Sequence, residues 1–132
     1  LTEKFRIAVD ADERLLRISV RGFWSTEEAM EYRRRLEEAM DLLGSTEPWN
    51  VIADVRLFPV QPAPVQKIHR ELMQQALLRG MDRSANIVGG PLTRIQIEEL
   101  ASTAWPEKGH FEYFLNEGEA DSWLRRTESG FA

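Results

Sequence analysis

Apolar and polar residues alternate at the start of the chain. Phe5, Ile7 and Val9 are separated by Arg6 and Ala8, and Leu16, Ile18 and Val20 are separated by Arg17 and Ser19. A period of two puts one set of side chains on each side of a strand. Two such runs joined by the short Ala11-Asp12-Glu13 segment predict an antiparallel hairpin with a polar face open to water. The period then changes. Ser25 and Glu28 have the spacing of a capping box, and Ala29, Tyr32, Leu36, Met40 and Leu43 recur at three- and four-residue steps up to Gly44. That pattern predicts a helix with one apolar stripe.

Further along, Val51-Ile52-Ala53-Asp54-Val55 is nearly continuous apolar sequence, as in a central strand. Pro59, Pro62 and Pro64 mark a stiff loop. Val65, Ile68, Leu72, Met73, Ala76 and Leu77 predict a second helix ending near Gly80. A short strand is expected over Ala85–Val88, stopped by Gly89-Gly90-Pro91, and a third helix from Leu92 to Ala104, before Pro106. His110 to Phe114 reads as the last strand, and Asn116 caps a final helix with Ala120, Trp123 and Leu124 inward. Only Glu128 to Ala132 reads as frayed. The order β-β-α-β-α-β-α-β-α predicts an α/β domain. Its mixed sheet has about five strands, a hairpin followed by parallel β-α units, packed with about four helices.

The 132 residues fit one domain, residues 1–132, with a core over about 5–126. With no cysteine, disulfides, zinc-thiolate sites and cysteine nucleophiles are excluded. The 22 acidic against 17 basic residues give a net charge of −5, which disfavours a nucleic-acid partner. The basic run Arg33-Arg34-Arg35 sits among Glu31, Glu37 and Glu38 and reads as a solvated helix face. No apolar stretch reaches the length of a membrane span, and no secretory signal is seen at the start. A cytoplasmic location is therefore expected.

The chain resembles the STAS domain superfamily, and within it the SpoIIAA-like branch. The carrying segments are Val20-Arg21-Gly22-Phe23-Trp24-Ser25-Thr26-Glu27-Glu28, Val51-Ile52-Ala53-Asp54-Val55-Arg56, Arg83-Ser84-Ala85-Asn86-Ile87-Val88 and Gly118-Glu119-Ala120-Asp121-Ser122-Trp123-Leu124. The resemblance implies a layered sheet and a role in protein–protein signalling or small apolar-ligand binding. In the family's anti-sigma-factor antagonists a phosphorylatable serine follows the third strand. The matching stretch here, Asp54 to Pro62, holds no serine or threonine, which argues against a kinase-driven switch.

The expected site is the set of loops at the C-terminal ends of the parallel strands, where open α/β sheets place ligands. Phe23 and Trp24, then Asp54, Arg56 and Phe58, then Gly89, Gly90, Leu92 and Arg94 converge there, with Trp105 a candidate exposed interface residue. Phe23, Trp24, Phe58 and Leu92 would wall a pocket, with Arg56 or Arg94 at its mouth; alternatively the aromatics plug the core. Gly89-Gly90 reads as a turn needing glycine torsions. Asp54 is expected in an ion pair with Arg56, two residues on along the same strand face, with Arg17 or Arg21 as further neighbours. His69 reads as a boundary residue of the second helix, and His110 as exposed. Ser25, Thr26 and Ser84 are potential phosphorylation sites by chemistry alone.

No catalytic constellation, metal site or cofactor site is assignable; pairing Asp54 with a histidine is the weakest of three functional readings. The leading one is a non-catalytic regulatory module binding a protein partner or forming a homodimer, through Trp105, the strand-end loops or the polar sheet face. The alternative is a carrier or sensor of a small amphipathic, lipid-like ligand at the strand ends.

Overall fold

The computed structural model describes residues 3–104 and 110–129, with side chains described as far as 125. The chain runs β1 (Phe5–Asp10), β2 (Leu15–Arg21), α1 (Thr26–Leu43), β3 (Trp49–Leu57), α2 (Ala63–Leu78), β4 (Met81–Ile87), α3 (Pro91–Ala104), β5 (Phe111–Phe114) and α4 (Glu117–Ser129). This is the expected order. The five strands form one sheet in sequence order, β1-β2-β3-β4-β5. β1 and β2 are antiparallel, and every later pairing is parallel.

Side-chain alternation divides the structure into two layers of packing. Leu16, Ile18 and Val20 of β2, Val51, Ala53 and Val55 of β3, and Phe111 and Tyr113 of β5 point to one face. There α1, α2 and α3 close over them with Leu36, Met40, Ile68, Leu72, Ile97 and Leu100. On the other face Leu15, Ile52, Ala85 and Ile87 meet Ala120 and Leu124 of α4. α4 leaves the hairpin uncovered, so Arg6, Ala8, Arg17 and Arg21 are exposed, as the alternation predicts.

The local signals hold in detail. Ser25 Oγ accepts from the Glu28 N–H at 3.1 Å and the Glu28 carboxylate accepts from the Ser25 N–H at 2.8 Å, so Ser25 is a helix cap. Gly44 ends α1 with φ 70°. Asn116 Oδ1 caps α4 by accepting from the Glu119 N–H. The arginine run is a mixed-charge helix face, with Arg34 between Glu31 and Glu38, and Arg33 paired to Glu37 and Glu71.

Two boundaries are corrected. β4 begins at Met81, four residues before its expected start, because Arg83, Ser84 and Asn86 are buried although polar. The Arg83 guanidinium stacks over the Trp123 ring at 5.7 Å and pairs with Asp82 at 3.3 Å. Asn86 donates to the carbonyls of Ser84 and Glu112. The final helix runs to Ser129, past the expected start of fraying at Glu128, while residues 130–132 lie outside the described residues.

Candidate functional site at the strand ends

The parallel strands deliver their C-terminal ends to one edge of the molecule. β2 ends in Arg21-Gly22-Phe23, β3 in Arg56-Leu57, β4 runs into Val88-Gly89-Gly90, and β5 into Leu115. The expected site residues do not share one role there. Trp24 and Phe58 are buried, at 3% and 1% exposure. They meet edge-to-face, ring centroids 5.3 Å apart, and Trp24 also packs on Tyr32 and Phe5. Of the two readings the aromatics allowed, Trp24 and Phe58 follow the second: they plug the core, and Trp24 Nε1 donates to the Arg21 carbonyl.

Phe23 and Leu92 face outward, at 65% and 72% exposure. They stand at the same end of the sheet as further exposed apolar side chains that the sequence pattern does not bring together. Leu57, Val60, Ile95 and Leu115 are also exposed. Six of the nine large exposed apolar side chains among the described residues therefore lie in the segments leaving the strand ends or in the first two turns of α3. Scattered exposed apolar residues need no explanation, but a cluster on one edge does. An open groove runs through it, bounded by Arg56, Leu57, Pro59, Val60, Leu92 and Thr93. Ile95 lies one turn after Leu92 and extends the same helix face.

A buried polar network fixes this surface. Gln61, in the proline-rich loop, is 4% exposed. Its Nε2 donates to the carbonyls of Gly22 and Pro59, both at 2.8 Å, and its Oε1 accepts from the Trp24 N–H at 2.9 Å. Gln96 of α3 reaches the same loop, accepting from the Gln61 N–H and donating to the Phe58 and Pro59 carbonyls. Three chain segments are thus tied together by two amides. The signal for Gln96 was its place on the apolar stripe of α3 with Ile97, Leu100 and Ala104; Gln61 carried no signal, since loops have no period.

Asp54 and Arg56 form the expected pair, Nη2 to Oδ2 at 2.7 Å, and the Arg56 backbone N–H also donates to Asp54. The Arg56 hydrogen bond holds the Asp54 carboxyl below its usual range. Asp54 is only half-buried, facing the uncovered side of the sheet in a polar cleft of about 420 Å³ with Arg6, Ser19 and Arg21. Arg17, one of its expected neighbours, pairs with Glu117 instead. Arg94 pairs with Glu98 and lies over the Tyr113 ring at 5.4 Å.

Gly89 and Gly90 do not have the left-handed torsions expected of them; among the described residues the positive-φ glycines are Gly22, Gly44 and Gly80. Gly89 answers to close approach instead, because a Cβ there would stand 3.3 Å from Arg56 Cβ and Cγ. Trp105 lies outside the described residues.

His69 is not a boundary residue. It is 8% exposed, ringed by Trp24, Tyr32 and Phe58 at 5.0 to 5.2 Å, on the helix-covered side of the sheet. Asp54 is on the opposite side, so the pairing of Asp54 with this histidine does not form. His110, half-buried, has Nδ1 2.7 Å from the Asp82 carbonyl. Among the described residues no cluster of three or more His, Cys, Asp or Glu is placed to hold a metal ion, and no helix is long and apolar enough to cross a membrane.

Two solved structures share this architecture. One is an uncharacterized protein from the DUF3478 family with a SpoIIAA-like fold from Shewanella loihica PV-4. It has a TM-score of 0.70 and 20% identity, over 91% of this chain and 93% of that one. The other is the anti-sigma factor antagonist SpoIIAA in its unphosphorylated form, at TM-score 0.64 and 13% identity, over 92% of this chain and 96% of that one. The chain has a SpoIIAA-like fold. No family model and no curated protein matches it. Within the SpoIIAA-like fold, the segment after β3 here carries Val60 and Gln61 and contains no hydroxyl side chain.

Proposed function

We propose that this protein is a non-catalytic regulatory interaction module that docks a protein partner on the strand-end surface. The clustering of exposed Phe23, Leu57, Val60, Leu92, Ile95 and Leu115 at one edge carries the reading. An apolar centre with a polar rim is the composition of a protein interface. The rim arginines Arg56 and Arg94 are already paired with Asp54 and Glu98. The surface thus offers apolar area more than free positive charge, which suits a protein partner better than an anionic head group. The Gln61–Gln96 network holds the surface in one conformation before a partner arrives, which lowers the ordering cost of binding. The likeness to SpoIIAA, described as an anti-sigma factor antagonist, supports a regulatory context.

The test is site-specific photocrosslinking of the full chain in its native cells. A photoreactive residue at Leu92 should give a discrete adduct with another protein. The same residue at Leu42, exposed on α1, should not, and Leu57→Asp should abolish the Leu92 adduct. Self-adducts alone would replace the partner with a second copy of the chain. Absence of any adduct, or one indifferent to Leu57→Asp, would remove the surface from consideration.

A further inference from the structure

The main core has a cavity of about 80 Å³ between the sheet and the helices. We propose that it is a binding site for a compact, uncharged, mostly apolar molecule bearing one hydroxyl, of the single-ring phenol or short-chain alcohol type.

The lining dictates the chemistry. Leu16, Leu36, Leu72, Ala76 and Phe111 supply apolar walls, and no lysine, arginine, aspartate or glutamate lines the space. An ionised ligand would be desolvated there with nothing to pair it. Five lining side chains carry polar atoms, namely Tyr32, Trp49, His69, Ser84 and Asn86, and Trp49 Nε1 donates to the Arg79 carbonyl. Ser84 and Asn86 satisfy each other: Ser84 Oγ lies 3.5 Å from Asn86 Oδ1, and Asn86 Nδ2 donates to the Ser84 and Glu112 carbonyls. His69 Nε2 is buried and has no hydrogen-bond partner. A buried polar atom without a partner costs about 1–3 kcal/mol, so such atoms in folded proteins are rare and mark a missing companion.

The imidazole is held in place for that role by the rings of Trp24, Tyr32 and Phe58. Burial depresses its pKa to about 4, which keeps it neutral at neutral pH, able to exchange one hydrogen bond with a hydroxyl. Water is a poorer companion, because a buried water wants about three polar partners and, of the five polar lining side chains, only His69 has a buried atom without one. The volume is about half of the ~150 Å³ that accepts benzene in an engineered apolar cavity. Met40, Met73 and Met81 line it, and their flexible thioether chains can shift to admit one ring.

The experiment compares phenol with fluorobenzene, similar in shape but without the hydroxyl, by NMR of the methionine methyl groups and the His69 ring, together with thermal unfolding. Phenol should bind saturably, shift the Met40 and Met73 methyl signals and the His69 nitrogen, and raise the melting temperature. His69→Phe keeps a ring of similar size and should weaken phenol roughly tenfold, the factor for one buried hydrogen bond, while leaving fluorobenzene unchanged. Ala76→Leu should exclude both probes; if it does not fold, Ala76→Val should weaken both. The proposal is overturned if neither probe moves the core methyl signals, if His69→Phe leaves phenol binding unchanged, or if a long-lived water sits on Nε2 and phenol does not displace it.

Discussion

The Gln61 backbone N–H donates to Gln96 Oε1 at 2.9 Å, joining the loop after β3 to a helix that begins thirty residues further along. Through the side chain of Gln61 the same link extends to Trp24 and Gly22. A leucine at position 61 would fill the space and leave the Trp24 N–H and the Gly22 carbonyl without partners. Gln61→Leu should therefore destabilise the fold by about 2–4 kcal/mol in urea unfolding, and hydrogen exchange at the Trp24 amide should accelerate. Gln96→Leu should cost less, and the double variant should be less damaging than the sum of the two, because both act on one network. Additive losses would mean that the two amides are independent.

Adjacent glycines separate two effects of a methyl group. At Gly89 a Cβ meets Arg56 Cβ and Cγ at 3.3 Å, close to the backbone where the arginine cannot swing aside. At Gly90 it meets nothing within 4 Å, and φ is not in the left-handed region. Gly90→Ala should be neutral or stabilise by roughly 0.4–1 kcal/mol through the unfolded chain, whereas Gly89→Ala should destabilise and disturb the Arg56 side chain. Chemical denaturation of both variants checks the contrast; equal effects would show that the approach to Arg56 is relaxed at no cost.

The element order was legible because hairpin, caps and stripes each follow a short-range rule. Ser25 and Glu28, Gly44 and Asn116 act where their spacing says they should. β4 was cut short because Asp82-Arg83-Ser84 is polar, and the compensation for burying Arg83 comes from Trp123, forty residues away. The site was harder. Trp24 and Phe58 sit in loops, where no period tells a pocket wall from a core plug. His69 was readable after all: with Val65, Ile68, Leu72 and Ala76 it occupies the middle of the buried stripe of α2. The groups that seal it, on the chain after β2, on α1 and after β3, are tertiary facts. The exposed cluster around Leu57 and Leu92 exists only once parallel strands bring their ends to one edge.

Asp54 and Arg56 make a small, testable electrostatic contribution. Arg56 lowers the folded-state pKa of Asp54 below its unfolded value. The stabilisation is therefore present above about pH 4 and is lost as pH falls through the folded value. Both groups are substantially solvent-accessible, so the loss should stay under about 1 kcal/mol. Asp54→Asn should remove this acid-range component, with little change at pH 7. A large loss of stability at neutral pH would show that the carboxylate supports more than Arg56.

His69 makes the stronger pH prediction, with the opposite protonation state favoured. Desolvation lowers its folded-state pKa to about 4, whereas an unfolded histidine titrates near 6.5. Between these values the unfolded chain binds more protons than the native one, so stability rises with pH and falls on acidification. The loss begins as pH drops below the unfolded value and is complete near pH 4, where the native imidazole also takes up its proton. The full span corresponds to about 3 kcal/mol. Tyr32, which packs on the same ring, is pushed up by burial and stays neutral throughout, so it does not mask the effect. His69→Phe removes the titration and preserves the aromatic cluster. Urea unfolding from pH 7 to pH 4 should therefore show the natural chain losing about 3 kcal/mol more than the variant, whatever their difference at pH 7. Parallel stability curves would mean that the imidazole is solvated or paired in the folded state, and that its surroundings are not the closed aromatic cluster described.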